Sequence, residues 1–337
     1  GAIFIKQPDT KLNNHFTKSA PVVAGEAVAN GRKSIADRCS SWHEGTMKDE
    51  MQEFSERMAQ RADQVDMMLS NLLDARLRGD EIARPDTLLA AMRHGVLNGG
   101  KRLRPFLLLE TAELLGGDQE AALRVAAATE CLHCYSLIHD DLPAMDDDSL
   151  RRGLPTVHVA FDEATAILAG DALLTMAFEI IAAPQTELAA GLKSELVLAL
   201  AQASGLGGMA GGQALDLQAE KYPPDEAGII TLQSMKTGAL IRFACEAGAI
   251  LSASNPTDRE CMKRFGEAVG LAFQLADDLL DVTSDSQSMG KATGKDTGRG
   301  KGTLVALHGA DWARTQLSGL VSEASSLLAP YGERARI

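Results

Sequence analysis

The chain has 337 residues, of which 45% are hydrophobic, 23% charged and only 4% aromatic, with a formal net charge of −13. That size supports one large core or two smaller ones. So acidic a chain is a poor partner for nucleic acid or an anionic membrane surface, so an anionic ligand would need local Arg/Lys clusters or a bridging metal.

Strand-forming runs are scarce and helix-favouring Ala, Leu, Glu, Gln, Met and Arg dominate, which predicts an all-α fold. Residues 1–46 lack sustained 3.6-residue periodicity and begin without Met, whereas Met47 opens MKDEMQEFSERMAQ. An N-terminal tail or leader over 1–46 and a single domain over 47–337 are therefore expected. Val65, Met68, Leu69, Leu72 and Leu73 follow the spacing of one helical face. Ile167, Leu168, Leu174, Ala177, Phe178 and Ile181 predict a second buried stripe. Prolines at intervals, from Pro85 to Pro330, divide the chain into segments of one or two helices each.

GGKRLRP (99–105) places Lys101, Arg102 and Arg104 after a glycine pair and leads straight into apolar PFLLLE. Basic residues bunched at glycine turns of an acidic chain suggest anion sites. Further on, SLIHDDLPAMDDDSLRRG (136–153) holds five aspartates within nine positions, followed by Arg151 and Arg152. Asp140 and Asp146 are six apart, which leaves them about 120° from a common face on an unbroken helix. Pro143 should end or kink the helix near Leu142 and let Asp146 swing back toward Asp140. The glycine-rich GLGGMAGGQALDL (205–217) either lets helices pack closely or marks a bend.

A second acidic cluster, FQLADDLLDVTSD (273–285), puts Asp277 and Asp281 on one helical face with Asp278 beside them. Phe273, Leu275, Ala276, Leu279 and Leu280 imply that this helix is packed, with its carboxylates on an inner wall. Mg²⁺ takes one or two carboxylates per ion and completes its shell with phosphate oxygens, so two acidic walls fit a metal-bound polyphosphate. Lys236 with Thr237, then Lys291, Lys295 and Lys301 in a glycine-rich run, supply further cationic groups.

In this order GGKRLRP, HDDLPAMDDDSLRRG, MKTGAL and FQLADDLLD resemble the trans-type isoprenyl diphosphate synthases, over about Met47 to the C-terminus. The nearest subclass resembles the bacterial farnesyl diphosphate synthases, with a geranylgeranyl (twenty-carbon) product as the alternative. The resemblance implies a single-domain bundle of ten or more helices around a central active-site cavity. It implies three Mg²⁺, two on Asp140 and Asp146 and one on Asp277, supported by Asp141, Asp278 and Asp281. Arg151, Lys236 and Lys291 would hold the allylic diphosphate, and Lys101, Arg104, His133 and Arg152 isopentenyl diphosphate. The main-chain oxygen of Lys236, with Thr237 and Gln274, would face the allylic cation. A homodimer is implied by the same likeness. Two features lack a counterpart in relatives: residues 1–46, and an ending at GERARI where relatives add a helix, which would leave the isopentenyl site less covered.

Tyr135 lies five residues before Asp140, about 7.5 Å along a helix, and Ser136 one turn below it is small. A bulky Tyr135 would floor the pocket near fifteen carbons.

Other readings compete. Cys131 and Cys134 form a CxxC, open to thiol or zinc chemistry, although two buried helical thiols fit better without a second pair. His139–Asp140 is an HD doublet as in metal-dependent phosphohydrolases, with His94, His133 and His158 as further histidines. A class I terpene cyclase shares one acidic motif, and a non-catalytic partner subunit would not keep both. The five scattered cysteines fit a reducing cytoplasm. No signal peptide is apparent and no apolar stretch reaches about 18 uncharged residues, so stable membrane insertion is not expected.

Overall fold

A computed structural model describes the backbone of residues 35–287 and 303–336, and side chains over 49–282 and 303–336. Residues Glu50–Ile337 form one compact unit, separate from Gly1–Asp49. Helical backbone begins at Ile35, upstream of Met47. The expected sites at Lys291, Lys295 and Lys301, and most of the expected tail, lie outside the described residues.

The described residues are almost wholly helical. In order come α1 (Ile35–Leu72), α2 (Asp86–Leu97), α3 (Leu103–Leu114), α4 (Gln119–Asp140), α5 (Val157–Ala160), α6 (Glu163–Ala182) and α7 (Ala190–Ser204). Then follow α8 (Met209–Ala219), α9 (Glu226–Gln233), a π turn (Ser234–Gly238), α10 (Ala239–Leu251), α11 (Pro256–Gln287), α12 (Leu304–His308) and α13 (Ala310–Leu328). Among the described residues the sheet is one two-residue antiparallel hairpin, Leu150–Arg151 against Leu154–Pro155.

Helix α4 forms the centre of the bundle and packs on α3, α6 and α10. Asp118 caps its start by accepting from the Ala121 amide at 2.8 Å. Ala121, Ala122, Ala126, Ala127 and Ala128 are all buried, and such small side chains let neighbouring helices approach α4 on several sides. The α1 stripe is as expected, with Val65, Leu69, Leu72 and Leu73 buried and Met68 packed against the same core.

The expected α6 stripe is wrong at one end. Ile167 and Leu168 are 44% and 56% exposed, and the buried face is Ala166, Ala169, Gly170, Leu173, Ala177 and Ile181. At the N-terminal half of α6 the close approach to α4 is made at Gly170, because His139 fills the space a side chain there would need. By length and composition α6 could cross a membrane, although it carries Asp171 and Glu179 and its small-residue face is buried in the bundle. Helix α11 is anchored by Leu275 and Leu279, which join Ile229, Leu304, Val305 and Ala313 in a second core. Leu280, expected in that core, is 62% exposed because it falls on the opposite face.

Candidate active site

Helix α4 ends at Asp140, three residues before Pro143. The chain then doubles back: the Met145 amide donates to the Leu142 carbonyl at 2.9 Å, and the Asp146 amide to the Asp140 carbonyl at 2.8 Å. The helical mismatch between the two aspartates is resolved as Pro143 led us to expect. The hairpin after the loop returns Arg151 onto Asp141, which is 3% exposed, with Nε 2.8 Å and Nη2 2.6 Å from Oδ1. Burial nonetheless raises the Asp141 carboxyl above its ordinary range despite Arg151. Burial likewise pushes Asp140 up to about 6; Lys236 and Arg151 oppose the shift, while Asp146 and Asp141 add to it.

A cavity of about 380 Å³ opens beside Asp140. Tyr135, Ser136 and Asp140 of α4 form one wall, Met209, Gln213 and Leu217 of α8 another, and Lys236 with Thr237 of the π turn a third. The π turn shifts carbonyls away from the regular helical ladder, a device common at functional sites. Gly212 permits it, since a Cβ there would sit 2.2 Å from the Lys236 nitrogen. The expected ammonium of Lys236 is present, but it donates to Asp216 Oδ2 at 2.7 Å, and Asp216 is 7% exposed.

A second cavity, about 480 Å³, is lined by Lys101, Arg102, Arg104, Glu130, His133 and Arg152, with Phe273 among its other lining residues. Arg104 and His133 line both cavities, so the two share a wall. Arg104 Nη1 lies 3.3 Å from His133 Nε2; since a guanidinium only donates, Nε2 accepts and Nδ1 carries the proton. Burial, with Arg104, Arg152 and other guanidinia nearby, holds His133 well below the usual imidazole range, hence neutral. Burial also lowers Arg104, and the attraction of Glu130 opposes it. No carboxylate among the described residues pairs with Arg104, and its enclosed Nε has no hydrogen-bond partner.

Arg102, which looks like one more cation of this cluster, turns inward instead. It is 2% exposed, has φ +48°, and donates to Asp66 (2.8 Å), Glu130 (2.6 Å) and the Val96 carbonyl (2.7 Å). It braces the segment that presents Lys101 and Arg104. Gly100, at φ +133°, leaves room for the Arg152 guanidinium, which donates to the Gly99 carbonyl.

The α11 wall is connected rather than merged with the first cavity. Asp277 is exposed and Gln274 half-buried, and neither lines that cavity. The link is Gln233, which donates from Nε2 to Asp278 Oδ2 at 3.0 Å and so ties the start of the π turn to the second acidic motif. Burial raises Asp278; Gln233 opposes this, and Asp277 and Asp281 add to it. Among the described residues no three acidic, His or Cys side chains converge into a ready-made metal cage. The donor set fits Mg²⁺, which needs few protein carboxylates when phosphate oxygens complete its shell.

The rival readings find less support. Cys131 and Cys134 are buried, and burial pushes Cys134 up to about 12, so neither offers a thiolate near neutral pH. The HD histidine is occupied: His139 Nε2 lies 3.0 Å from the Ile167 carbonyl, and His94 Nε2 2.7 Å from the Pro155 carbonyl. Residues not foreseen are Gln213, Asp216, Glu130 and Gln233. Gln213 and Asp216 sit in the glycine-rich run, whose close packing was the one available signal.

An all-α bundle with paired acidic motifs and two cavities that share basic residues is the arrangement of a protein that binds polyanionic ligands. The polyprenyl synthetase family model matches residues 85–326, and the chain belongs to that family. It is a prenyltransferase, and the family is metal-dependent. It is 48% identical over 252 residues to the farnesyl diphosphate synthase of Escherichia coli K12, covering 74% of this chain and 84% of that one. The farnesyl diphosphate synthase of Haemophilus influenzae is 44% identical over 67% of this chain and 75% of its own. An apo crystal structure of an FPP/GFPP synthase from Zymomonas mobilis aligns at TM-score 0.73 and 45% identity, covering 82% of this chain and 93% of that one.

Proposed function

We propose that this prenyltransferase condenses isopentenyl diphosphate with dimethylallyl or geranyl diphosphate to give farnesyl diphosphate. The observation that carries this reading is the pair of cavities sharing Arg104 and His133. Two diphosphate substrates must lie side by side for one to attack the other. The first cavity suits the allylic substrate, because it runs from Asp140 and Lys236 past the apolar side chains of Met209 and Leu217. The second, with Lys101, Arg104, His133 and Arg152, suits the anionic head of isopentenyl diphosphate.

Asp140 and Asp146 would hold two Mg²⁺ and Asp277 a third. When bound, the metal neutralises charge on the departing diphosphate oxygens. Arg151, Lys236 and Lys291 serve the same head group. Main-chain Lys236 and Thr237 then face the allylic cation, whereas Gln274, expected beside them, stands on α11 outside that cavity. Neutral His133, its Nε2 accepting from Arg104, has the Nδ1–H left to donate to the second head group without adding charge. The apolar walls keep water from the cation. Tyr135 and Ser136 set the depth. A homodimer is carried over from the family likeness alone.

The test is incubation of the full chain with Mg²⁺, isopentenyl diphosphate and geranyl diphosphate. Farnesyl diphosphate as main product, abolished by EDTA, is expected. Release of phosphate without incorporation of isopentenyl diphosphate would reject the reading in favour of a hydrolase.

A further inference from the structure

The hairpin Leu150–Pro155 delivers two guanidinia to two places: Arg151 lies on Asp141, and Arg152 lines the second cavity. Little in the hairpin itself fixes that aim. It has two residue pairs, too few to be stable alone. Both turn residues, Arg152 (φ +54°) and Gly153 (φ +80°), have the positive φ of the tightest hairpin turn, which Arg adopts only at a cost. Leu150 and Leu154 are 62% and 43% exposed, so apolar burial does not anchor either strand. Thr156 closes the base, with its amide on the Ser149 carbonyl at 3.1 Å and its hydroxyl on the Asp148 carbonyl at 2.8 Å, but both bonds stay within the same loop.

The aim must therefore come from outside. Arg151 and Arg152 tie the hairpin to Asp141 and to the Gly99 carbonyl, yet these are the groups that serve phosphate when substrate binds. A further tie is made by a residue that lines neither cavity: His94 of α2, with Nε2 2.7 Å from the Pro155 carbonyl. A carbonyl only accepts, so Nε2 carries the proton. Helix α2 is a firm base for this bond. Met92 and Val96 are buried on either side of His94, and Gly95 lets α2 press on α4, since a Cβ there would run into the Ile138 side chain. The His94 ring also meets Phe161 edge-on at 5.8 Å, which fixes its plane. Together α2 and the glycine pair after it grip the hairpin at the end of its second strand and at its turn.

We propose that His94 is a positioning residue, whose bond to the Pro155 carbonyl aims the hairpin so that Arg151 and Arg152 reach both diphosphate head groups. The identity of those substrates rests on the prenyl-transfer reading. His94 contacts no substrate and transfers no proton. It holds two cations in place before the anions arrive, and a small misplacement of the hairpin weakens both sites at once.

The test compares the full-length parent, His94→Phe and His94→Gln. Phe keeps a ring against Phe161 and removes the donor, whereas Gln keeps an N–H donor. The measurements are steady-state kinetics with Mg²⁺, geranyl and isopentenyl diphosphates, calorimetric titration with inorganic pyrophosphate and Mg²⁺, and thermal unfolding. In His94→Phe both KM values and the pyrophosphate Kd rise about tenfold, while kcat stays within about threefold, because saturating phosphate draws the guanidinia into place. Its Tm moves by no more than about 4 °C. His94→Gln returns both KM values to within about threefold of the parent. Four results overturn the proposal: unchanged KM values in His94→Phe, a rise for one substrate alone, a fall in Tm and kcat with KM unchanged, or no rescue by His94→Gln. An inactive parent instead refutes the farnesyl reading, and the pyrophosphate titration then decides the role of His94 by itself.

Discussion

The backbone amide of Asp146 donates to the carbonyl of Asp140 at 2.8 Å, and this one bond brings together two carboxylates that an intact helix would hold apart. The arrangement is costly without metal. Asp140 is pushed up to about 6, mainly by burial, with Asp146 and Asp141 adding repulsion. Removal from water costs this carboxylate more than Lys236 and Arg151 return to it.

Asp140→Asn tests that imbalance. The folded state binds the Asp140 proton more tightly than the unfolded state, so ionisation above pH 6 weakens the metal-free fold. That deficit fades as pH falls through 6 and is gone below the ordinary carboxylate value. Removing the charge should stabilise the metal-free protein at pH 7.5 by roughly 2–3 kcal/mol, and abolish Mg²⁺-dependent turnover. Chemical denaturation in EDTA measures the first effect and product formation the second. A destabilised, inactive variant would mean that Asp140 serves the fold.

The same carboxyl sets a pH dependence. Protons compete with Mg²⁺ for Asp140, so the Mg²⁺ concentration for half-maximal activity should rise as pH drops below about 6, the value to which that carboxyl is pushed. At saturating Mg²⁺ the rate should fall less, because excess metal displaces the proton. Titrations of Mg²⁺ at pH 5.5 and 7.5 decide it, and equal half-maximal concentrations would rule out Asp140 as a ligand.

These features differ in how far they could be read from the chain. The Asp140–Asp146 turn was legible because proline acts on its own neighbourhood: Pro143 ends α4 whatever packs around it. The α1 stripe was legible for a similar reason, since one face is apolar and the other charged. Helix α6 was not, because it is apolar nearly all round, and its buried side is set by where Gly170 meets His139. Arg102 reads as one more phosphate-binding cation until Glu130, 28 residues away, is seen beneath it. Gln213 is hardest of all. Among the described residues both ends of its amide lack a partner, and no local pattern encodes an absence.

Arg102 gives a stability prediction that separates it from its basic neighbours. Its guanidinium is 1% exposed and neutralises Glu130, itself 2% exposed. Arg102→Met strands a buried carboxylate and should cost about 3–5 kcal/mol. Arg102→Met with Glu130→Gln should recover a large part of that. Urea unfolding of the single and double variants provides the measurement. Lys101→Met, by contrast, changes an exposed side chain and should leave stability within about 0.5 kcal/mol while raising KM for isopentenyl diphosphate.

Product length is the last consequence of the same wall. Tyr135 is half-buried beside the first cavity, and its ring meets His139 edge-on at 5.7 Å. His139 is itself fixed, with Nε2 on the Ile167 carbonyl at 3.0 Å, so the ring is backed by a side chain that cannot easily yield. A growing prenyl chain should stop against it. Tyr135→Ala removes the ring but leaves Asp140 about 7.5 Å away along α4, so ionisation should continue while elongation runs past fifteen carbons. Chromatography of dephosphorylated products should show the main product shifting to about twenty carbons or more, each added unit extending by five. An unchanged fifteen-carbon product would mean that the floor lies elsewhere, on α6 or α8 rather than α4.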